Sequence, residues 1–182
     1  MRKVTRTAPA KINLGLDVTG TRPDGYHLLE TVFQAVSIAD TVTVELTDTP
    51  DIALTCDVAG VPCSPKNIAW KAAQRYLDAA GLTDGVQIHI EKRIPMEAGM
   101  GGGSTDGAAV LLALQELTGN ALSMDKLAEI AVSLGADVPF FLYGGTAYAA
   151  GIGEKLEKLP AFSTDCMVIA KGTAGVSTAQ AY

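Results

Sequence analysis

The sequence predicts a mixed fold, one antiparallel β-sheet with α-helices packed on its buried face, and three observations lead there. Apolar and polar residues alternate in short runs: Val42, Val44 and Leu46, then Ile52, Leu54 and Cys56, then Val86, Ile88 and Ile90. A two-residue period places each set on one side of a strand, so every run has a single buried face. Between these runs the apolar period lengthens to that of a helix, first through Ala69, Ala72, Ala73, Tyr76 and Ala80 and later through Leu127, Ile130, Ala131 and Leu134. Ala108 to Leu117 is apolar nearly all round, as expected of a helix buried against a sheet.

Composition bounds the function. With 182 residues, 48% of them hydrophobic and 19% charged, the chain is globular and long enough to bury a core, with room for one domain and part of a second. A net charge of −6 argues against nucleic acid as a partner, since phosphate-backbone contacts need a surplus of lysine and arginine. Cys56, Cys63 and Cys166 form no Cys-x-x-Cys pair, so neither a zinc site nor a disulfide framework is indicated. No apolar run approaches a membrane span and the N-terminus lacks an apolar signal segment, so the expectation is a cytoplasmic protein.

In chain order, Val4 to Val18 reads as extended, with Ile12, Leu14 and Leu16 on the core face and Lys11 and Asn13 on the other. Pro9 cannot donate to a ladder and marks a bulge or an edge just before Lys11. On pattern alone Lys11 is a solvated strand lysine. Gly20-Thr-Arg-Pro-Asp-Gly25-Tyr-His27 reads as a turn-rich loop by its Pro-Asp-Gly core, and its Tyr26 and His27 could hold a flat base or pack on the core. The runs Val32–Ile38, Asp40–Leu46 and Ile52–Cys56 continue the antiparallel sheet. Asn67 is placed to cap the first helix and Gly81 to end it; Trp70 lies off its apolar stripe. His89 falls on the surface face of the Val86–Ile90 strand. Lys92 and Arg93 lead into a glycine-rich loop, where their charge could meet phosphate or solvent. Ser123 and Gly135 bracket the Leu127–Leu134 helix. Asp137 follows, between a helix stop and an apolar run, poorly placed for solvent. Tyr143 to Ile152 reads as a strand, Glu154 to Lys158 as a charged turn or surface segment, and Cys166 to Ala170 as the start of another strand. Residues 175–182 resemble the cap and first turn of a helix, so the expected organisation is one domain over 1–160 and the start of a second over 161–182.

The chemistry centres on Ile94 to Ala109, where Gly99, Gly101, Gly102 and Gly103 feed into a helix N-terminus. Unpaired N–H groups of a first helical turn, approached closely because glycine has no side chain, form a natural phosphate site. No lysine follows the last glycine as a P-loop requires, and Ser104 stands where the dinucleotide fingerprint needs glycine. The alternative is a glycine turn capped by Ser104. Asp106 suits the helix macrodipole, or could help to place a metal ion.

Three separated segments, Pro9-Ala-Lys11-Ile-Asn13-Leu, Pro95 to Ala109 and Gly135-Ala-Asp137-Val-Pro139, resemble the N-terminal signatures of the GHMP small-molecule kinases. The pair Tyr26-His27 after Arg22-Pro-Asp-Gly25 is most similar to the cytidine-binding element of the diphosphocytidyl-methylerythritol kinases of the non-mevalonate isoprenoid pathway. The resemblance implies an α+β fold, the GHMP kinase N-terminal domain (ribosomal protein S5 domain 2-like), followed by the start of a ferredoxin-like C-terminal domain. It implies ATP and Mg²⁺ as cofactors and a cytidine-diphospho sugar alcohol as the small-molecule partner.

By the same resemblance, Pro95, Met96, Glu97, Ala98, Gly99, Met100, Gly101, Gly102, Gly103, Ser104 and Thr105 would form the ATP phosphate loop, with Asn67 near the adenine or its ribose. Asp137 would be the general base, and Lys11 would neighbour it, keep it ionised and stabilise the transferring phosphoryl group. Asn13, Tyr26 and His27 would hold the substrate. Glu97-Ala98 departs from the pattern, occupying positions that are often glycine in such loops. Two other readings compete: a noncatalytic ATP-binding fragment, and a sibling kinase acting on another small alcohol such as mevalonate or homoserine.

Overall fold

Alternating residues of the N-terminal half build one long hairpin, β1 (Lys3–Thr21) and β2 (His27–Thr47), to which the rest of the sheet attaches. The computed structural model describes residues 2–25, 27–164 and 166–172. β1 pairs antiparallel with β2 along its whole length, with register shifts between Pro9 and Lys11, Asn13 and Gly15, and Val18 and Gly20. The opposite edge of β2 takes β4 (Gly85–Glu91) along 41–47 and β5 (Thr146–Ala150) along 31–34, both antiparallel. β3 (Ile52–Cys56) flanks β4, and β6 (Lys155–Lys158) flanks β5.

The helices are α1 (Ile68–Ala80), α2 (Gly102–Leu117), α3 (Met124–Leu134) and α4 (Val138–Tyr143). Val42, Val44, Val86, Ile88 and Ile90 of the sheet meet Ala69, Ala72, Ala73 and Tyr76 of α1 and Val110, Leu111 and Leu114 of α2 in one core. The buried hydroxyl of Tyr76 donates to Gln115 Oε1 at 2.8 Å, so its polar end is satisfied inside that core. Trp70 reaches back to β3, its Nε1 donating to Ile52 O at 3.0 Å. Asn67 caps α1 through a 2.9 Å bond from Ala69 N, and Ser123 caps α3 through a 3.2 Å bond from Lys126 N, as the sequence predicts.

Five expectations are corrected. β3 runs parallel, not antiparallel, to β4, because α1 carries the chain across the sheet face and returns it in the same direction. Leu14, Leu16 and Val18 are 44%, 41% and 39% exposed, while Lys11 is buried. The bulges at Pro9/Lys11 and Asn13/Gly15 break the alternation on which the core-face assignment rested. Tyr143 ends α4, a helix that Pro139 opens and Gly144 closes, and the strand begins only at Thr146. The charged stretch before Leu159 is a strand, and its lysines and glutamate suit a sheet edge. Residues 166–170 form no strand, having no pairing partner among the described residues, and the helical turn read at 175–182 lies outside those residues.

Candidate active site

The bulge at Pro9 aims Lys11 inward at mid-hairpin, where its backbone N–H donates to Met100 O at 3.0 Å. Met100 itself is buried with Ala10 and Ile94 in a small separate cluster. The glycine loop is thereby fastened to β1 by one hydrogen bond and one buried side chain.

The Lys11 ammonium donates to Asn13 Oδ1 at 2.9 Å, lies 3.6 Å from Asp137 Oδ2 and sits 4.8 Å from the centre of the Phe33 ring. Asn13 Nδ2 donates to Thr31 Oγ1 at 2.6 Å, and the Thr31 hydroxyl donates to Gly15 O at 2.7 Å. That chain fixes which face of the Asn13 amide meets the lysine. Asp137 occupies the N-cap position of α4 but makes no capping bond with its side chain. Its carboxylate is left free of the helix and faces Lys11, with 33% of the side chain open to solvent.

The loop turns through left-handed backbone at Glu97, Gly99 and Gly101. At Gly101 glycine is required twice over: φ is +71°, and an added Cβ would lie 2.8 Å from the Phe141 ring. α2 starts at Gly102 with no side-chain cap, its first intrahelical bond running from Thr105 N to Gly101 O at 2.9 Å. The N–H groups of Gly102, Gly103 and Ser104 therefore have no acceptor within the helix. Ser104 is inside the first turn rather than its cap, which corrects the capped-turn alternative.

These amides front a cleft of about 300 Å³ lined by Val61, Pro62, Lys66, Asn67, Ile68, Lys92, Asp106 and the loop from Pro95 to Gly103. Thr105 is buried behind the loop. Asn67 borders the cleft with its amide already engaged, accepting from Ala69 N and donating to Pro62 O at 2.9 Å. Glu97, at φ 53°, is a non-glycine residue in left-handed conformation on the cleft wall.

Behind the loop lies an ionic cluster that sequence reasoning missed. Lys92 Nζ bonds Asp40 Oδ2 at 2.5 Å and Asp106 Oδ2 at 2.7 Å, with all three side chains at most 8% exposed. Asp40 Oδ1 accepts from the backbone N–H of Arg93 at 2.5 Å and Ile94 at 2.8 Å. Burial pulls the Lys92 ammonium down, but Asp106 and Asp40 more than offset it and leave its pKa raised. Asp106 is pushed up to about 7, chiefly by burial, with Lys92 acting in the opposite sense. Asp106 lies beyond the first turn of α2, so the macrodipole reading gives way to an ion pair. Arg93 is turned outward to Asp57 and Glu91. The available signal was the lysine preceding the loop, read as phosphate-facing or solvated.

Lys11, Asn13 and Asp137 are thus brought together, and the loop and Asn67 form the adjoining cleft. His27 opens β2 at the hairpin tip, paired with Thr21, whereas Lys11 pairs with Ala35. The two are about 30 Å apart along the strand path at ~3.3 Å per residue. Tyr26 lies outside the described residues.

Comparison with known proteins gives the relatives of this arrangement. Residues 67–145 match the family described as GHMP kinases N terminal domain. The 4-diphosphocytidyl-2-C-methyl-D-erythritol kinase of Geobacter metallireducens is 48% identical over 182 residues, which are 100% of this chain and 65% of that protein. The Clostridium tetani kinase of the same name is 45% identical over 96% of this chain and 62% of its own length. A crystal structure of 4-(cytidine 5'-diphospho)-2C-methyl-D-erythritol kinase superposes with a TM-score of 0.73 at 48% identity, covering 86% of this chain and 55% of that one. Homoserine kinase from Cytophaga hutchinsonii shares the fold, with a TM-score of 0.68 at 24% identity over 88% of this chain and 52% of that one. The chain thus spans somewhat under two thirds of the curated relatives it matches.

Proposed function

The chain carries the N-terminal domain of the GHMP kinases and belongs to that superfamily, and from that premise we propose that it phosphorylates a hydroxyl of 4-diphosphocytidyl-2-C-methyl-D-erythritol with ATP, in isoprenoid precursor biosynthesis. The observation that carries the reading is the Lys11–Asp137 pair, 3.6 Å apart, beside an amide-lined loop that is hydrogen-bonded to Lys11 itself.

Phosphoryl transfer asks a protein chiefly for positioning and charge stabilisation. The free amides of Gly102, Gly103 and Ser104 would hold the ATP phosphates, with Asn67 beside the adenine or its ribose. The substrate hydroxyl would lie between Asp137 and the γ-phosphorus. Its oxygen forms the new P–O bond, its proton passes to Asp137, and the bond to the β,γ-bridging oxygen breaks to release ADP. Lys11 would stabilise charge on the transferring group and Asn13 would keep Lys11 in place. No group of three or more His, Cys, Asp or Glu among the described residues could hold a metal ion. Mg²⁺ fits as an ion carried by the triphosphate, whose charge it would screen.

Asn13, Tyr26 and His27 would hold the cytidine-diphospho substrate. The similarity to kinases of that name at 45–48% identity supports this, and the three bulges of β1 offer the hairpin places to bend its tip toward Asp137. Domain boundaries at 1–160 and 161–182 and a cytoplasmic setting belong to the same proposal. No described helix is long and apolar enough to cross a membrane.

The test is ADP release with 4-diphosphocytidyl-2-C-methyl-D-erythritol, mevalonate or homoserine as acceptor. Release dependent on the first alone is expected; release with either of the others would move the chain to a sibling activity. ATP binding with no acceptor-dependent release would make it a nucleotide-binding fragment.

A further inference from the structure

The Asp40–Lys92–Asp106 cluster has no place in the reaction just described, yet it touches the loop from behind. An added Cβ at Gly102 would come within 3.1 Å of Lys92 Nζ, so the ammonium lies directly under the run of free amides. Asp106 rises from the same helix and borders the cleft while only 3% exposed. One of its oxygens, Oδ1, is buried without a hydrogen-bond partner. A buried carboxylate oxygen left in that state is costly, and protonation removes most of the cost.

We propose that this cluster is a positioning element for the phosphates of ATP and that it takes up a proton as they bind. The inference rests on the reading of the loop as a phosphate site. Its basis is charge: one ammonium against two carboxylates leaves one negative charge uncompensated behind the loop. Bringing phosphate oxygens to the same amides sets anion against anion, since Asp106 itself borders that cleft. A proton on Asp106 makes the cluster neutral and lets Lys92 remain paired with Asp40.

Other charges near the cleft do not substitute. β1 offers Lys11, whose ammonium is turned to Asn13 and Asp137. α1 presents Ile68 to the foot of α2, and the cleft wall adds the exposed Lys66 and Glu97, one of each sign. The carboxyl of Asp106 already sits near neutrality before any anion arrives, so a modest further rise suffices.

The experiment is calorimetric titration of the 182-residue chain with ATP in excess Mg²⁺ at about pH 8, above the ordinary carboxylate range, in two buffers of different ionisation enthalpy. The wild type should bind with buffer-dependent heat in the sense of proton uptake. Its ATP affinity should fall by up to about tenfold per pH unit above 7. Asp106→Asn should bind ATP with neither dependence. A merely structural role for the cluster moves neither readout. ATP binding by the wild type with equal heats in both buffers overturns the inference alone, as does uptake that persists in Asp106→Asn. Absence of ATP binding by the wild type overturns both the inference and the reading of the loop.

Discussion

The ammonium of Lys11 lies 3.6 Å from Asp137 Oδ2, while the backbone N–H of the same lysine is bonded to Met100 O in the glycine loop. One residue therefore ties the candidate base to the candidate phosphate site. The burial of its head group beside Asn13 and Phe33 leaves it little freedom to do otherwise.

Replacing Lys11 by Met keeps the stem and removes the charge. Turnover should fall about 10²- to 10³-fold, the usual effect of removing one preorganised donor, while the backbone bond to Met100 persists. Lys11→Arg should not rescue, since a planar fork does not fit a site built around a point charge. Steady-state kinetics of both variants check this.

Gly101→Ala places a side chain at φ +71° against Phe141. The expected cost is about 1–3 kcal/mol of stability, with a weakened ATP complex because the loop must shift to relieve the clash. Denaturant unfolding and ATP titration measure the two effects separately.

Asp40→Ala removes the acceptor of two backbone N–H groups and one buried ammonium. Breaking a buried pair from one side costs about 3–5 kcal/mol, so a pronounced drop in melting temperature is expected. Asp57→Ala, which removes a solvent-screened ion pair with the exposed Arg93 and the acceptor of the Lys92 backbone N–H, should lower the melting temperature far less.

The raised pKa of Asp106 has a defined sign for stability. Between pH 4 and 7 the folded state binds a proton that the unfolded chain, with an ordinary carboxylate, has released. This contribution is fully present below about pH 4 and is lost as the pH rises through about 7. It amounts to at most about 4 kcal/mol, and Asp106→Asn should flatten this part of the pH–stability curve.

Much of this was legible in local pattern. Asn67, Ser123 and Gly81 declared the helix ends because capping is a short-range affair of one side chain or one left-handed residue. Pro9 declared its bulge for the same reason. The direction of β3 was not legible, being set by the path of α1 across the sheet rather than by the residues of the strand. Nor was the burial of Lys92, whose partners Asp40 and Asp106 come from β2 and α2 and are joined to it only by tertiary packing. Lys11 looked like a solvated strand residue by its alternation, and the similarity of three separated motifs, not the period, pointed to the role proposed for it. The bulge beside it is what turns it inward.

The most direct measurement is ADP release dependent on 4-diphosphocytidyl-2-C-methyl-D-erythritol, compared between the wild type and Asp137→Asn, with ATP affinity measured in parallel. The account predicts acceptor-dependent release by the wild type, a loss of about 10²- to 10⁴-fold in the variant and an ATP affinity little changed. Equal turnover by the two proteins would contradict it, removing Asp137 and its pairing with Lys11 from the mechanism.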